Sequence, residues 1–340
     1  MSDFKNTLNS LIDGKNLSHE VMQATMRQVM TGELTSAQIS GLLVALRIKG
    51  ETVDEIAGAA SVMRELSSKV TINDTQHLID TCGTGGDGIQ TFNVSTVSAF
   101  VAAAAGAKVA KHGGRSVSSI CGSADVLEAL GVNVNQTPEQ VAECVNEIGV
   151  GFMFAPNHHS AMKHSAPVRR ELSVRTIFNL LGPLTNPANA KRQIMGVFSQ
   201  TLTGKLAQVL QRLGSEHVMV VCGADGMDEI SFSGDTFVAE LKNGQVNEYV
   251  LNPQQLGLGL HDVASIKVVD AHASKAMILQ VLAGATGGAR DIVLLNAGAA
   301  IYVAGLVPKL QDGIAVAAKV LDNGKAMQKL EQLVAMTNAS

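Results

Sequence analysis

The segment DTCGTGGD at residues 80–87 is followed closely by TFNVST at residues 91–96, and together they decide how the chain folds. A β-type run over 77–81 leads into a loop with three glycines in four positions, and a helix with hydroxyl and amide side chains in its first turn follows. Glycine lets backbone N–H groups approach an anion closely, and a helix N-terminus adds partial positive charge. The pattern predicts a site for a di- or triphosphorylated ligand. A plain β-turn-α connection is the alternative, because one glycine-rich loop is a weak signal.

A second loop of the same character, KHGGRSVSS, occupies residues 111–119, directly after a predicted strand over 107–111. Its nine residues include two cations, two glycines and three serines. Fixed charge, hydroxyl groups and bare N–H groups can therefore all face one polyanion. Two such loops on successive strands strengthen the prediction of a phosphate site.

The composition indicates an α/β enzyme rather than a nucleic-acid-binding protein. Of the 340 residues, 46% are hydrophobic and only 3% are aromatic, and there are 33 glycines and no tryptophan. The net charge is −4, and the chain has no long basic run. The chain has few aromatic side chains that could stack on bases and little basic charge that could attract phosphates. The composition therefore does not favour nucleic-acid binding. An acidic chain that binds a polyphosphate must therefore concentrate its cations at the site or bind the ligand through metal ions.

Cysteine usage and the lack of apolar targeting segments predict a cytoplasmic protein. The four cysteines form no CxxC pair and no zinc-type pairing with histidine, and the first residues lack an apolar signal core. No run of roughly 18 apolar residues offers a membrane span. We therefore expect reduced thiols, no disulfide framework and no membrane contact.

The residue pattern predicts a helical part followed by a larger part in which strands and helices alternate. Residues 3–67 are typical of four short helices, with Ser18, Thr35 and Thr52 as starting residues. Their apolar faces are too extensive to be buried within this part alone, so we expect them to pack on another unit or another subunit. The strands that the pattern predicts cover residues 78–81, 107–111, 132–135, 151–155, 193–198, 217–222, 237–241 and 246–251.

Helices predicted between these strands imply crossover connections, and hence parallel strands in a sheet covered on both faces. The fold class we expect is therefore α/β, with a small all-helical domain and a larger α/β domain that has a mainly parallel central sheet. Ligands of such sheets bind beyond the carboxyl ends of the strands, where both glycine loops fall. The predicted helices lie near 95–105, 123–130, 138–148, 202–213, 272–284, 289–305 and 310–337, with two more between 157 and 183.

Adjacent carboxylates at Asp228 and Glu229 follow the predicted strand over 217–222. In a regular strand they would face opposite ways, but in a glycine-containing loop both can reach one site. Two oxygen ligands plus waters suit Mg²⁺ held by a substrate diphosphate. The alternative is a solvated acidic turn.

Six motifs resemble those of the anthranilate phosphoribosyltransferase family, and the resemblance runs from near residue 5 to near residue 335. The motifs are GTGGD (83–87), NVST (93–96), KHGGRSVSS (111–119), GSADVLEALGV (122–132), HHSAMK (158–163) and PVRREL (167–172). The resemblance implies transfer of the phosphoribosyl group of 5-phosphoribosyl 1-pyrophosphate to the amine of anthranilate. The products would be N-(5-phosphoribosyl)anthranilate and pyrophosphate, in tryptophan biosynthesis. It also implies an architecture similar to that of the pyrimidine nucleoside phosphorylases.

The same resemblance implies the site residues. It assigns no catalytic nucleophile or base, and it implies two Mg²⁺ ions held by Ser95, Asp228 and Glu229. On the anthranilate side it places Gly83, Gly114, Arg169, His112 and His159. For the phosphoribosyl donor it implies Gly83, Gly86, Asp87, Thr91, Asn93, Val94, Ser95, Thr96, Lys111, His112, Gly113, Gly114, Arg115, Ser116, Val117, Ser118, Ser119 and Ser123.

Domain limits and assembly are also implied by the resemblance. The helical domain would comprise residues 1–70 with 168–186, lie on the acceptor side and form a homodimer. Residues 71–167 with 187–340 would form the α/β domain that binds the donor. Besides the two small-molecule substrates and a second copy of the chain, we expect no nucleic acid and no membrane as partners.

One residue departs from the family's motif, and four others have a simpler interpretation. The family usually reads KHGNR, whereas this chain has Gly114 in place of the Asn that helps to hold the acceptor. Arg170 and Arg175 fit surface or interdomain ion pairs. His112 and His159 could line the acceptor pocket, although a histidine in a loop more often serves only as a hydrogen-bonding residue.

Two other functions compete with the transferase. A pyrimidine nucleoside phosphorylase shares the architecture, but it uses inorganic phosphate and a nucleoside and needs no magnesium pair. Asp228 and Glu229 therefore favour the transferase. A non-catalytic relative that binds nucleic acid would require basic patches, which the net charge of −4 does not favour.

Overall fold

The N-terminal part of the computed structural model, which describes residues 4–115 and 121–339, consists of helices only. Ser18 begins the second helix, and Thr35 and Thr52 begin the third and fourth with complete capping boxes, so the predicted starting residues are confirmed. The helices are α1 (Phe4–Ile12), α2 (His19–Thr31), α3 (Ser36–Lys49) and α4 (Val53–Leu66).

The rest of the described chain is built on one seven-stranded sheet in the order β3-β2-β1-β4-β5-β6-β7. The first five strands in chain order pair in parallel, and β6 and β7 add an antiparallel hairpin. The predicted class, a helical domain with a mainly parallel α/β domain, is therefore confirmed. The strands are β1 (Leu78–Asp80), β2 (Lys108–Gly113), β3 (Val150–Phe154), β4 (Arg192–Gly196), β5 (His217–Gly223), β6 (Thr236–Lys242) and β7 (Gln245–Leu251).

The strand order places a switch point between β1 and β4. From β1 the chain moves outward to β2 and β3, and it then returns to the other side of β1 as β4. Connections that leave β1 and β4 at their carboxyl ends therefore diverge and open a crevice between them. Gly83 to Asp87 follow β1 at this crevice, as the sequence predicts.

Helices cover both faces of the sheet. On one face α5 and α13 lie in a large apolar cluster with residues of β1, β2, β3 and β5. On the other face the N-terminal helices share one apolar cluster with α11 and with β4, β5 and β6, for example through Ile56, Leu206 and Val220. The remaining helices are α5 (Val94–Ala104), α6 (Ser123–Ala129), α7 (Pro138–Ile148), α8 (Ala155–His158), α9 (Ala166–Leu172), α10 (Phe178–Leu181), α11 (Thr203–Arg212), α12 (Ala271–Leu282), α13 (Gly288–Val303), α14 (Leu310–Asp322) and α15 (Lys325–Thr337).

The prediction of a strand over 132–135 is wrong. Val132 and Val134 are buried, which accounts for the alternating pattern. However, β2 and β3 pair directly with each other, so the sheet has no position for a further strand between them. The backbone N–H of Asn133 donates instead to Thr337 Oγ1, at 3.2 Å, near the end of α15.

Two predicted helices are interrupted. The helix predicted over 310–337 breaks at Gly324, which has a left-handed φ of 72° and separates α14 from α15. The second helix predicted between 157 and 183 ends at Ser173, whose φ is 51°, and resumes as α10. Apolar periodicity continues across both breaks, which is why the pattern alone predicts longer helices. None of the helices described here is long and apolar enough to cross a membrane.

Candidate active site

A cavity of about 370 Å³ lies at the carboxyl ends of β1, β2 and β4. Both glycine loops, the start of α5 and the acidic loop after β5 reach it, together with α9 and α10. Most of the predicted site residues line it: Gly83, Gly86, Asp87, Thr91, Asn93, Ser95, Lys111, His112, Gly113, Gly114, Arg115, Ser123, Arg169, Asp228 and Glu229. Ser116, Val117, Ser118 and Ser119 lie outside the described residues.

The first glycine loop is held against the end of β4 and the acidic loop. The Thr84 N–H donates to the Gly196 carbonyl at 2.8 Å, and the Gly85 N–H donates to Asp228 Oδ2 at 2.9 Å. A Cβ on Gly196 would overlap the backbone oxygen of Asp228, so this approach requires glycine. Gly86 has a φ of 83°, a left-handed conformation that glycine adopts without strain.

Asp80 connects the strands that lead into the two glycine loops. It is fully buried at the end of β1, and its Oδ1 accepts a hydrogen bond from the His112 N–H at 3.1 Å. Its Oδ2 accepts one from Asn186 Nδ2 at 2.7 Å. Desolvation by burial raises the pKa of Asp80 to about 6, despite the opposing charge of Lys111. The second loop is thereby fixed to the strand from which the first loop begins.

Lys111 brings a buried cation to the start of α5. Only 4% of the residue is exposed, yet its side chain lines the cavity. Its Nζ donates to the Thr81 carbonyl at 2.7 Å and to Ser95 Oγ at 3.2 Å. These neutral partners leave its positive charge uncompensated by a direct carboxylate partner, which suits an anionic ligand.

Three carboxyl groups, those of Asp87, Asp228 and Glu229, lie close to this cation. Desolvation by burial, followed by the charge of Asp87, raises the pKa of Asp228 to about 7. Burial and the charge of Asp228 raise the pKa of Glu229 well above its usual value. Glu229 Oε1 accepts a hydrogen bond from the Ser95 N–H at 3.1 Å, at the first turn of α5. Asp87 Oδ2 is buried and has no partner among the described residues.

These carboxyl groups fit a divalent cation. Raised pKa values and an unpartnered buried oxygen both indicate negative charge that lacks a counterion. Among residues 4–115 and 121–339 no group of three or more histidine, cysteine or acidic side chains is placed to hold a metal ion by itself. Mg²⁺ bound here would therefore take further ligands from substrate oxygens and water, as Mg²⁺ usually does.

The second loop places Arg115 at the rim of the cavity. Arg115 pairs with Glu128 at 2.6 Å and with Asp125 at 2.9 Å, and both carboxylates belong to α6. Its charge is thus partly neutralised, unlike that of Lys111. Gly113 packs so closely on Ser123 that a Cβ there would overlap the serine hydroxyl.

Two arginines from the segment 166–181 also line the cavity. Arg169 is half-buried on α9, and its Cζ lies 5.2 Å from the centre of the Phe178 ring. Arg175 lies over the Phe198 ring at 4.1 Å and donates a hydrogen bond to the Gly86 carbonyl. Arg175 is exposed, as expected for a surface residue, but it lines the cavity and has no carboxylate partner among the described residues, whereas the exposed Arg170 does not line the cavity.

The histidines on this side are neutral at pH 7. His112 and His159 are buried, and their ring centres lie 5.1 Å apart in an edge-on arrangement. Burial lowers the pKa of both, that of His159 to about 4. Only His112 lines the cavity.

Some predicted residues do not reach the cavity, and some lining residues were not predicted. Val94, Thr96 and His159 are buried outside its wall. Thr96 follows Ser95 on a helix, so the two side chains point in different directions. Among the unpredicted lining residues, Phe198 lies two residues after the end of β4, so the rule that ligands bind at the carboxyl ends of strands could have found it. The others include Arg175, Phe178, Asn179 and Cys121.

Comparison with known proteins gives consistent matches over nearly the whole chain. The helical bundle domain of a glycosyl transferase family matches residues 5–67, and the a/b domain of that family matches residues 75–327. The anthranilate phosphoribosyltransferase of Methylobacillus flagellatus is 65% identical over 99% of this chain and 98% of its own. That of Chromobacterium violaceum is 60% identical over 97% and 96%.

Solved structures match as well. The anthranilate phosphoribosyltransferase of Thermus thermophilus has a TM-score of 0.92 and 44% identity, over 97% of this chain and 98% of that one. The Saccharomyces cerevisiae enzyme in complex with PRPP and Mg has a TM-score of 0.90 and 26% identity, over 99% and 98%.

The raised pKa of Asp228 predicts a pH dependence of stability. Its usual value is 3.8 and its folded value is about 7, so the folded protein binds this proton more tightly than the unfolded chain. The stabilisation that comes from this proton is fully present below the usual pKa of 3.8, and it is lost as the pH rises through about 7. In metal-free protein, the free energy of unfolding of the wild type should therefore fall relative to Asp228→Asn, by at most about 1.4 kcal/mol per pH unit.

Chemical denaturation of both proteins between pH 5 and 8 measures this difference. The exposed Asp312 provides the control, because Asp312→Asn should follow the wild type at every pH. Parallel pH profiles for the wild type and Asp228→Asn would show that Asp228 is not protonated in the folded state.

Proposed function

Because the chain belongs to the anthranilate phosphoribosyltransferase family, we propose that its cavity holds the phosphoribosyl donor on the glycine loops and the acceptor against Arg169. The reaction transfers the phosphoribosyl group of 5-phosphoribosyl 1-pyrophosphate to the amine of anthranilate. It yields N-(5-phosphoribosyl)anthranilate and pyrophosphate, and it is a step of tryptophan biosynthesis. The observation that supports the residue assignment is the set of charges brought to one cavity: Lys111, the carboxyl groups of Asp228 and Glu229, and Arg169 all line it.

On the donor side, the chain supplies N–H groups, hydroxyl groups and one buried cation. In the loop over 83–87 the backbone N–H groups of Gly86 and Asp87 have no hydrogen-bond partner among the described residues and suit phosphate oxygens, whereas those of Thr84, Gly85 and Ser95 already donate within the protein. Lys111 adds a charge that is already oriented by Thr81 and Ser95. Because these groups are fixed before the donor arrives, they can stabilise the leaving pyrophosphate without reorganising.

The enzyme uses Mg²⁺, and we propose two ions, held by Asp228, Glu229 and the Ser95 hydroxyl together with oxygens of the donor. Mg²⁺ neutralises charge on the leaving pyrophosphate when it is bound. The unpartnered oxygen of Asp87 lies in the same carboxyl cluster and supports a demand for positive charge there.

The reaction itself needs positioning more than proton abstraction. Attack at the anomeric carbon passes through oxocarbenium-like character, and the aromatic amine of anthranilate is already neutral at pH 7. The enzyme therefore has to align the amine with the anomeric carbon and stabilise the leaving group. The neutral His112 fits this requirement, since a charged imidazole beside the site would repel the developing positive charge.

On the acceptor side, Arg169 is the residue suited to the anthranilate carboxylate. Its guanidinium is planar, half-buried and stacked near Phe178, which restricts it to few orientations. Gly83, Gly114 and His112 complete this side of the cavity. A Cβ on Gly114 would meet nothing closer than Ala155 Cβ at 3.9 Å, so the space of the family's usual Asn is open here.

We also propose the assembly and the location of the enzyme. Ile12 on α1 is 67% exposed and Ile48 on α3 is 82% exposed, which is costly for an isolated chain. Their position supports a homodimer formed through the helical domain, comprising residues 1–70 and 168–186, with 71–167 and 187–340 as the α/β domain. A cytoplasmic location without nucleic-acid or membrane partners agrees with the net charge of −4.

The reaction predicts loss of anthranilate fluorescence when the enzyme is mixed with anthranilate, 5-phosphoribosyl 1-pyrophosphate and Mg²⁺. The double variant Asp228→Ala with Glu229→Ala should abolish this loss, because the pyrophosphate charge is then left without its metal. Glu143→Ala with Glu147→Ala, which removes two exposed carboxylates of α7, should retain it. Wild-type turnover in the Asp228 and Glu229 variant would refute the metal assignment.

Acceptor recognition is predicted to depend on Arg169. Arg169→Ala should raise the KM for anthranilate roughly 10- to 150-fold, the equivalent of one hydrogen bond to a charged group, with little change in the donor KM. Its exposed neighbour offers the control Arg170→Ala, which should behave like the wild type.

Aniline, which has no carboxylate, should react poorly, and Gly114→Asn should tighten anthranilate binding by about 0.5–1.5 kcal/mol. The acceptor assignment fails if aniline and anthranilate react equally well.

The homodimer is testable by sedimentation. Ile12→Asp with Ile48→Asp should convert the dimer to a monomer at micromolar concentration, because each buried carboxylate would oppose association. Val269, which is 78% exposed on the α/β part, gives the control Val269→Asp and should leave the dimer intact. A wild type that sediments as a monomer would contradict the proposal.

A further inference from the structure

Asn93 occupies the N-cap position of α5, but its side chain does not cap the helix. An N-cap asparagine normally accepts a hydrogen bond from the N–H of the second or third helical residue. Here the N–H of Ser95 donates instead to Glu229, and that of Thr96 donates to the backbone carbonyl of Asn93. The amide of Asn93 is therefore available for another purpose.

A serine from the distant helix α12 engages this amide. Ser274 is fully buried, and its Oγ accepts a hydrogen bond from the backbone N–H of Asn93 at 3.1 Å. The same hydroxyl donates to Asn93 Oδ1 at 2.7 Å. One hydroxyl group thus binds both the backbone and the side chain of Asn93.

Cys121, where the described chain resumes after the second glycine loop, binds the other end of the amide. Asn93 Nδ2 donates to the Cys121 carbonyl at 3.2 Å, and Cys121 Sγ donates to Asn93 Oδ1 at 3.3 Å. A carbonyl can only accept, so the nitrogen of the amide must face it. The oxygen then faces Ser274, and the orientation of the amide follows from its surroundings.

The hydrogen-bonding capacity of the amide decides what it presents to the cavity. Its oxygen has two lone pairs, and these accept from Ser274 and Cys121. Its nitrogen has two hydrogens, of which one goes to the Cys121 carbonyl and the other has no partner among the residues that the structure describes. Because Asn93 is half-buried and lines the cavity, it can offer this N–H to a ligand.

We propose that Ser274 is a positioning residue for the donor site, which fixes Asn93 so that an N–H rather than a carbonyl oxygen faces the anionic donor. This inference rests on the assignment of Asn93 to the donor under the proposed function. Without the Ser274 hydroxyl, the amide oxygen loses its strongest partner and only Cys121 orients the amide, so the reversed amide, which repels phosphate oxygens, is less strongly disfavoured. Ser274 itself does not line the cavity and need not touch substrate.

Steady-state kinetics of Ser274→Ala, Asn93→Ala and the double variant tests the proposal. Ser274→Ala should raise the donor KM about tenfold and change the KM for anthranilate less than about twofold. In the Asn93→Ala background the same substitution should have almost no further effect on the donor KM. Thr25→Val, which removes a buried hydroxyl of α2 far from the cavity, should leave both KM values unchanged.

The outcomes separate this inference from the proposed function. If Asn93→Ala raises the donor KM but Ser274→Ala does not, the inference about Ser274 is overturned and the donor assignment stands. An equal increase from Ser274→Ala with and without Asn93, or an equal increase for both substrates, would also overturn it. If Asn93→Ala leaves the donor KM unchanged, the assignment of Asn93 to the donor fails, and the inference fails with it.

Discussion

The close approach of two backbones, at the end of β4 and in the acidic loop after β5, is the constraint on which the site depends. Gly196 leaves no room for a side chain beside the Asp228 carbonyl, while its own carbonyl accepts the Thr84 N–H. The acidic loop and the first glycine loop are thereby held on either side of one strand end. Asp228 completes the contact through the Gly85 N–H, so the carboxylate that we propose as a metal ligand also shapes the loop that we propose for phosphate. A small shift at Gly196 would disturb both.

The charged and neutral side chains that line the cavity give its parts different electrostatic properties. Lys111 is buried among neutral oxygens next to the carboxyl cluster, and both kinds of charge are desolvated there. Such an arrangement is unfavourable without ligands and becomes favourable when a polyanion and a divalent cation bind together. His112, the histidine that lines the cavity, is neutral, and Arg169 and Arg175 lie over aromatic rings. Under the proposed assignment, a donor with its metal and a singly charged aromatic acid therefore meet different surroundings within one cavity.

Much of this could be predicted from the residues, and the exceptions have physical reasons. Glycine spacing and strand order locate both loops, since parallel strands end at one edge of a sheet. The alternating burial of Val132 and Val134 imitates a strand because an apolar core buries alternate residues even where no strand is adjacent. Arg175 escaped prediction because its role depends on Phe198 and Gly86, which are distant in sequence. Nothing local distinguishes Ser274 either, since its partner Asn93 lies 181 residues away.

The apolar cluster shared by the N-terminal helices, α11 and one face of β4, β5 and β6 has a consequence for folding cooperativity. Ile56 and Val220 belong to the same cluster, although they come from the helical and the sheet-forming parts of the chain. Neither part can therefore lose its packing without exposing apolar surface on the other. Local opening that separates the two costs correspondingly more free energy, so we expect the chain to unfold as one cooperative unit rather than in two successive steps. Removing residues 1–67 would take the helices away from this face of the sheet. The apolar surface exposed on the remaining chain would then favour aggregation.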